Sequence, residues 1–508
     1  MEALRFGIAC MVLLLASSPV RAAAPRTNLL LIVADDHSAD VVGAYGNRLA
    51  RTPNLDRLAE EGIRFDRAFC NAPICTPSRQ SLLTDRYPHA VGVTLLHHAL
   101  GKDAWTLAHR LAEAGYRTGV FGKTHFNSPE HHGFETMVGE REWARHEVQL
   151  PPAQVPPGVE VLGPWRPFED PARIWLNGFH RPYPRYEQEM AGTWFAQKAI
   201  DFIREHRDQP WFVQIGFKEP HSPFHFPIEM RDLYNPADMR VPRPGLNDGP
   251  QIPKVFAALS HADKQGIIAS YYTSVAFLDR NVGRVLEALD ELKLAEHTLV
   301  IYVGDNGYHL GEHGRFEKHS MYERCVRVPL IMRLPGRIPE GSVSRALVEL
   351  VDIVPTVLDY LGVPADRSAK APRDLHGHSL EPLIAGRIPS VRDAVFSEYQ
   401  HTERAMVRTD RWKLVYRTAN APTDWYEPVE PPTGRGFELY DLLNDPEEMH
   451  DLSVMPDPAV VEDLLDRLAT WYTRFPPVGP PCPHPMTRED FLDWAIAPRT
   501  LSDSRPGE

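Results

Sequence analysis

The chain has 508 residues, 43% of them hydrophobic and 24% charged, with 48 prolines. That is enough for a large core and more than one domain, with ordered loops and no internal repeat or low-complexity block. Its net charge of -13 excludes a general nucleic-acid binder, which needs a basic face against phosphates, but leaves room for a local cationic pocket.

In chain order, the first element is a leader. Arg5, the apolar stretch Ile8–Ala16 and the small residues Ala22, Ala23 and Ala24 form a signal-peptide pattern over 1–24. The stretch is too short to span a bilayer comfortably, and Cys10 falls too early for a lipoprotein acceptor. No later segment has the length and apolarity of a transmembrane helix, so stable membrane insertion is not expected. Of five cysteines, Cys10 would leave with the leader, so Cys70, Cys75, Cys325 and Cys482 make no disulfide framework. With no Asn-x-Ser/Thr site either, an exported, periplasmic protein of a bacterium is the expectation.

Four apolar runs, Asn28–Ala34, Arg117–Phe121, Trp211–Phe217 and Thr298–Val303, have the character of buried strands of a mostly parallel sheet. Helical patterns lie between them at Asn54–Glu61, Thr106–Ala114, Met190–Glu205 and Ile267–Leu292. This alternation predicts an α/β fold with helices on both faces. Beyond the strands come Asp35-Asp36, Gly122-Lys123-Thr124-His125, Lys218-Glu219-Pro220-His221 and Gly304-Asp305-Asn306-Gly307. Ligands bind beyond the carboxyl ends of such strands, so acidic pairs and cations should share one edge. Asp35, Asp36, Asp305 and Asn306 offer only oxygen ligands, which favour Ca²⁺, or less readily Mg²⁺, over zinc. Taken alone, Asp35-Asp36 fits a helix cap equally well. His309 and His313 have helical spacing but flank Gly311, which places them in a loop and not in a zinc site.

The run NAPICTPSRQSLLTDR, Asn71–Arg86, has Pro73 and Pro77 before a helix expected from about Ser81. Cys75 would then precede a helix N-terminus, with Arg79 as a positive fork. A thiolate nucleophile, a disulfide partner of Cys70 and a buried apolar filler all remain open for it. Pro151–Arg185 is a long proline-rich stretch with Trp165 and Trp175, either a wall beside the substrate or a surface insertion. Past Leu361 the pattern changes to short strands at Ala394–Tyr399, Arg404–Arg408 and Arg411–Tyr416, a loop at Ala421–Gly436 and a helix at Ala459–Arg474.

Cys75-Thr76-Pro77-Ser78-Arg79 resembles the maturation motif of the type I, formylglycine-dependent sulfatases of the alkaline phosphatase superfamily. NLLLIVADDHSADVVGAYGN, TPNLDRLAEEGIRFDRAF, GKTH, KEPHSPF, GDNGYHLGEHGRFEKHSMYE, ELVDIVPTVLDYLGVP and FELYDLLNDPEEMHDL resemble further family blocks in the family's order, from about Asn28 to Leu452. The resemblance implies a large mostly parallel mixed sheet flanked by helices, over 25–375, and a smaller C-terminal domain with an antiparallel sheet and a helix, over 376–508.

It also implies that a maturation enzyme oxidises Cys75 to formylglycine, leaving Cys70 without that partner. Asp35, Asp36, Asp305 and Asn306 would hold Ca²⁺ together with residue 75. Arg79, Lys123, His125, His221 and Lys318 would surround the sulfate. The hydrated aldehyde would attack sulfur, His221 or Lys318 would protonate the leaving alcohol, and His125 would take the remaining hydroxyl proton so that sulfate is expelled. HLGEHG and Lys318-x-x-x-Tyr322-Glu323 resemble the glycan-acting branch that includes iduronate-2-sulfatases, which implies a sulfated saccharide as substrate. His97, His98, His309, His313, Arg324 and His401 are further pocket candidates. Arylsulfatase or choline-sulfatase activity, phosphonate monoester hydrolysis and a sulfated-glycan binding protein without catalysis are the competing readings.

Overall fold

The computed structural model describes residues 26–163, 176–245, 248–365, 375–422, 428–430, 432–483 and 485–499. The expected leader with Cys10, and Trp165 and Trp175, lie outside the described residues.

The main sheet takes β1 (Asn28–Asp35), β2 (Ile63–Phe65), β3 (Arg117–Gly122), β4 (Thr136–Val138), β5 (Trp211–Pro220), β6 (Thr298–Gly304), β7 (Leu330–Arg333) and β8 (Ser342–Ser344). Their order is β8-β2-β7-β6-β1-β5-β3-β4. Only β7 runs antiparallel to its neighbours. The four strands expected from the apolar runs are thus the four contiguous central ones. Burial on both faces explains why they are continuous apolar runs and do not alternate. On β1, Leu29, Leu31 and Val33 enter one core layer, and Leu30, Ile32 and Ala34 enter the other. Each such Leu, Ile or Val contributes about 1.5–3 kcal/mol.

The first layer is closed by α2 (Cys75–Thr84), α3 (Leu107–Glu113) and α7 (Ile353–Leu361). The second is closed by α1 (Pro53–Glu60), α5 (Ala191–Glu205) and α6 (His261–Glu291). A short helix, α4 (Glu140–Glu147), follows β4 at the sheet edge. Helix α6 begins six residues before the expected Ile267. Ser260 and Asp263 form a reciprocal capping box there, a polar signal that hydrophobic periodicity does not carry.

The C-terminal sheet is antiparallel: β9 (Val395–Tyr399), β10 (Arg404–Arg408), β11 (Trp412–Arg417) and β12 (Gly436–Asp441). Helices α8 (Pro458–Arg474) and α9 (Arg488–Ile496) follow it. Val395, Tyr399, Met406 and Val415 from this sheet join the core layer of α2. Tyr87 and Val351, from the larger part, join the cluster under α8. The two parts therefore share apolar core. No helix among the described residues is long and apolar enough to cross a membrane.

Candidate active site

The site lies where β1, β3, β5 and β6 end. Two glycines let these ends close up. A Cβ on Gly216 would meet the Lys123 carbonyl oxygen at 2.0 Å, and one on Gly122 the Gly216 carbonyl oxygen at 2.2 Å. Gly122 also has a φ of +91°, a backbone that side chains disfavour. Helix α2 begins at Cys75 itself, not near Ser81 as expected. Pro77 falls within the first turn, where a missing N–H breaks no intrahelical bond, so it does not delay the helix. Every residue of α2 is buried, which fixes Cys75, Ser78 and Arg79 against the strand ends.

The charged groups interlock. Arg79 Nε donates to Asp305 Oδ2 at 2.7 Å, and its Nη1 to the Lys123 carbonyl at 2.9 Å. The Lys123 ammonium pairs with Asp35 Oδ2. Lys318 Nζ lies 2.6 Å from Asp36 Oδ1 and 3.6 Å from Cys75 Sγ. Asn306 Nδ2 donates to Asp36 Oδ1 at 2.8 Å, and the Asp36 N–H to Asp305 Oδ1 at 3.0 Å. Asp36 itself has a φ of 63°, a strained turn that brings both aspartates into the site. Ser78 donates its hydroxyl to the Asp305 carbonyl.

Two histidines have their tautomers set by partners. The Thr76 hydroxyl donates to the Leu96 carbonyl at 2.9 Å, so it accepts from His125 Nδ1–H at 3.0 Å, and Nε2 is left as the basic nitrogen. His221 Nδ1 donates to the Ser222 carbonyl at 2.6 Å, leaving its basic Nε2 3.8 Å from Asp36 Oδ2. Burial, followed by the Lys123 charge, holds His125 well below the ordinary imidazole range. Burial likewise takes His221 down to about 4.

Three buried oxygens, Asp35 Oδ1, Asp36 Oδ2 and Asn306 Oδ1, have no hydrogen-bond partner. Orphaned carboxylate and amide oxygens within one hydrogen-bonded network are what a hard cation satisfies, so these residues fit Ca²⁺. Asp35, Asp36 and His221 also each bring a ligand atom within 4.8 Å of the others. Burial raises Asp305 to about 7 despite Arg79. Burial opposes the Asp35 charge too, yet Lys123, His221, Lys318 and Arg79 hold that carboxyl well below its usual range. Burial pushes the Cys75 thiol up, against the pull of Lys123 and Lys318, which disfavours a plain thiolate nucleophile. Cys70 is buried and free, so it is no disulfide partner.

The outer candidates divide. His97 is exposed and edges onto buried His98 at 4.9 Å. His401 accepts the Leu96 N–H at 3.0 Å through Nε2 and lies in the electrostatic field of His319, His97 and His98. These imidazoles gather beside the segment that carries Thr76's partner. His309 and His313 are in a separate cluster. His309 Nε2 meets Ser320 Oγ at 2.9 Å, while His313 stacks on Tyr322 at 3.8 Å and meets Asp248 Oδ2 at 3.1 Å. Arg324 is one of the further pocket candidates. Its guanidinium is instead committed to Asp40, to Glu447 at 3.1 Å and to Glu312 at 3.7 Å. The sequence reading missed Thr76 and Gln80, whose amide holds the Thr124 and His125 carbonyls at 3.2 and 2.8 Å. Both stand inside the Cys75 run, but only the fold brings them to His125.

Comparison with known proteins gives the family and the fold. Residues 27–363 match the family model described as Sulfatase, and residues 311–472 match N-sulphoglucosamine sulphohydrolase, C-terminal. An N-acetylglucosamine-6-O-sulfatase of Bacteroides thetaiotaomicron is 29% identical over 86% of this chain and 84% of its own length. Human iduronate 2-sulfatase is 29% identical over 66% of this chain and 69% of its own. Among solved structures, a phosphonate monoester hydrolase of Agrobacterium radiobacter superposes with a TM-score of 0.72 at 23% identity, covering 89% of this chain and 96% of that one. A structure in complex with its substrate D-glucosamine-2-N,6-O-disulfate gives 0.70 at 23%, covering 89% and 98%. At that identity the two structures establish the fold.

Proposed function

The chain belongs to the sulfatase family and is a sulfuric ester hydrolase, and from that premise we propose that it desulfates a sulfated glycan fragment using a formylglycine made from Cys75 and a bound Ca²⁺. The observation that carries this is the setting of Cys75. Its Sγ lies 3.6 Å from Lys318 Nζ, inside a cage that also holds Arg79, Lys123 and three partnerless oxygens. A formylglycine at this position supplies an oxygen nucleophile once hydrated, which the raised thiol does not. Asp35, Asp36, Asp305 and Asn306, with residue 75, would hold Ca²⁺, which would supply Lewis-acid polarisation.

The chain's own groups do the rest. Arg79, Lys123 and Lys318 are fixed cations, held charged by buried carboxylates despite desolvation, and stabilise charge on the sulfuryl oxygens. His125 presents a basic Nε2 because Thr76 holds its Nδ1–H, so it is suited to take a proton. His221, neutral and with Nδ1–H committed to Ser222, has no proton to give from Nε2. Lys318 is therefore the donor for the leaving alcohol.

The glycan substrate is supported by the names of the relatives, N-acetylglucosamine-6-O-sulfatase and iduronate 2-sulfatase among them. Export is supported by the pattern of Arg5 and Ile8–Ala16. A panel of sulfated saccharides, nitrophenyl sulfate and phosphonate monoesters, assayed with and without a Ca²⁺ chelator, tests the reading. Chelator-sensitive sulfate release, best on a saccharide, is expected. Preference for phosphonates, or full activity in chelator, would refute it.

A further inference from the structure

A cavity of about 300 Å³ opens beside the reactive centre and shares Lys123 with it. It lies against the second core layer, between α4, the first turn of α5 and the end of β5. The first turn of α5 reaches that strand end: a Cβ on Gly192 would come within 3.0 Å of Glu219 Oε2. Apart from Lys123, no residue given a proton or charge role above lines it.

Its lining has a definite chemistry. Trp143, Tyr183 and Phe195 supply aromatic surface, and Glu140, Glu147 and Lys218 supply polar groups at the rim. The rings are fixed. Trp143 packs on Trp194 at 5.7 Å, and Trp194 stacks on His146 at 5.3 Å. Tyr183 donates its hydroxyl to Glu147 at 2.6 Å and lies 4.5 Å from the His225 ring. Deeper, Glu219 is 4% exposed, and its Oε2 has no hydrogen-bond partner. A buried carboxyl oxygen left unpaired beside a cavity is suited to a ligand's hydroxyl. Rigid aromatic faces, a few convergent polar groups and this volume are the make-up of a small-ligand pocket.

We propose that this cavity is a saccharide subsite, which takes a neutral pyranose ring on the Trp143 face with its hydroxyls directed to Glu219 and Lys218. Glu140, Glu147 and Glu219 at least match the charge of Lys123 and Lys218, so no excess positive charge selects a second sulfate, and the ring it takes is an unsulfated one. Tyr183 comes from the proline-rich stretch Pro151–Arg185, which gives that stretch a part in the pocket wall. The subsite deepens the glycan reading and rests on it for meaning, but its test needs no turnover.

Binding of glucose, galactose and N-acetylglucosamine to the full chain is followed by saturation-transfer NMR, with inorganic sulfate at saturating concentration. At least one sugar should bind, and sulfate should leave that binding in place. Trp143→Ala should weaken it at least tenfold, Trp143→Phe less than threefold, and Glu219→Gln severalfold, each in protein with an unchanged far-UV spectrum. No sugar binding, binding abolished by sulfate, a Trp143→Ala variant that binds as the parent does, or binding of choline in place of the sugars would each overturn the subsite. None of these outcomes bears on sulfate release, so the sulfatase reading stands or falls separately.

Discussion

Lys318 holds two roles in one place: it balances Asp36 at 2.6 Å and stands 3.6 Å from the Cys75 sulfur. Replacing it removes positive charge from the spot where sulfuryl oxygens gather charge. A fixed donor of this kind is worth about 10²–10³ in turnover. Lys318→Met should therefore lower kcat by about two orders of magnitude with a smaller change in KM, read by steady-state kinetics. A variant within threefold of the parent would remove Lys318 from the mechanism. Most of the site residues were legible in the sequence because they follow a strand or sit in the Cys75 run, whereas Lys318 came only from the resemblance of GDNGYHLGEHGRFEKHSMYE to a family block. The tautomers of His125 and His221 were not. They depend on the Thr76 hydroxyl, 49 positions from His125, and on the local turn at Ser222.

The strand ends are positioned by backbone contact. At Gly216 of β5 an added methyl would meet the Lys123 carbonyl oxygen at 2.0 Å and Arg79 Nη1 at 3.0 Å. Backbone cannot yield as a flexible side chain can, so Gly216→Ala should destabilise by about 1–3 kcal/mol or more. It should also displace Lys123 and Arg79 together. Denaturant titration should show the loss, and activity should fall even in the folded fraction. An alanine variant with parental midpoint and turnover would contradict the close-packed strand ends. The central strands were readable because burial on both faces writes a continuous apolar run. The starts of α2 and α6 were not readable from periodicity, since Pro77 in a first turn and a Ser260–Asp263 cap set them. Strand β12 and helix α9 were missed as well. Gly436–Asp441 is half-polar and α9 buries only Leu492, Ala495 and Ile496, so neither carries a strong pattern.

The larger part and the C-terminal sheet share one core, and buried titratable groups are scattered through it. His376 is 5% exposed, accepts the Tyr87 N–H at 3.2 Å and is taken down to about 3 by burial, then by Arg86. In the unfolded chain it returns to the ordinary 6.5. The stability it confers is therefore complete above 6.5 and declines as pH falls towards its folded value, by up to about 1.4 kcal/mol per pH unit. Glu219 and Glu349, raised by burial to about 7, act in the opposite sense, because the native state takes up their protons first. The overall pH profile mixes these effects, so the difference between parent and His376→Asn is the clean quantity. From pH 6.5 to 5 the parent should lose about 2 kcal/mol relative to the variant, measured by urea unfolding at each pH. A constant difference across that range would mean that His376 is not held neutral by the fold.

The central claim is that Cys75 is the precursor of the nucleophile. Tryptic mass spectrometry of active protein, made in a cell with the maturation machinery, tests it most directly. The Cys75 peptide should be lighter by the difference between a CH₂SH and a CHO group, resistant to thiol alkylation, in a fraction that tracks specific activity. A fully alkylatable Cys75 thiol in protein with full sulfate-releasing activity would contradict it.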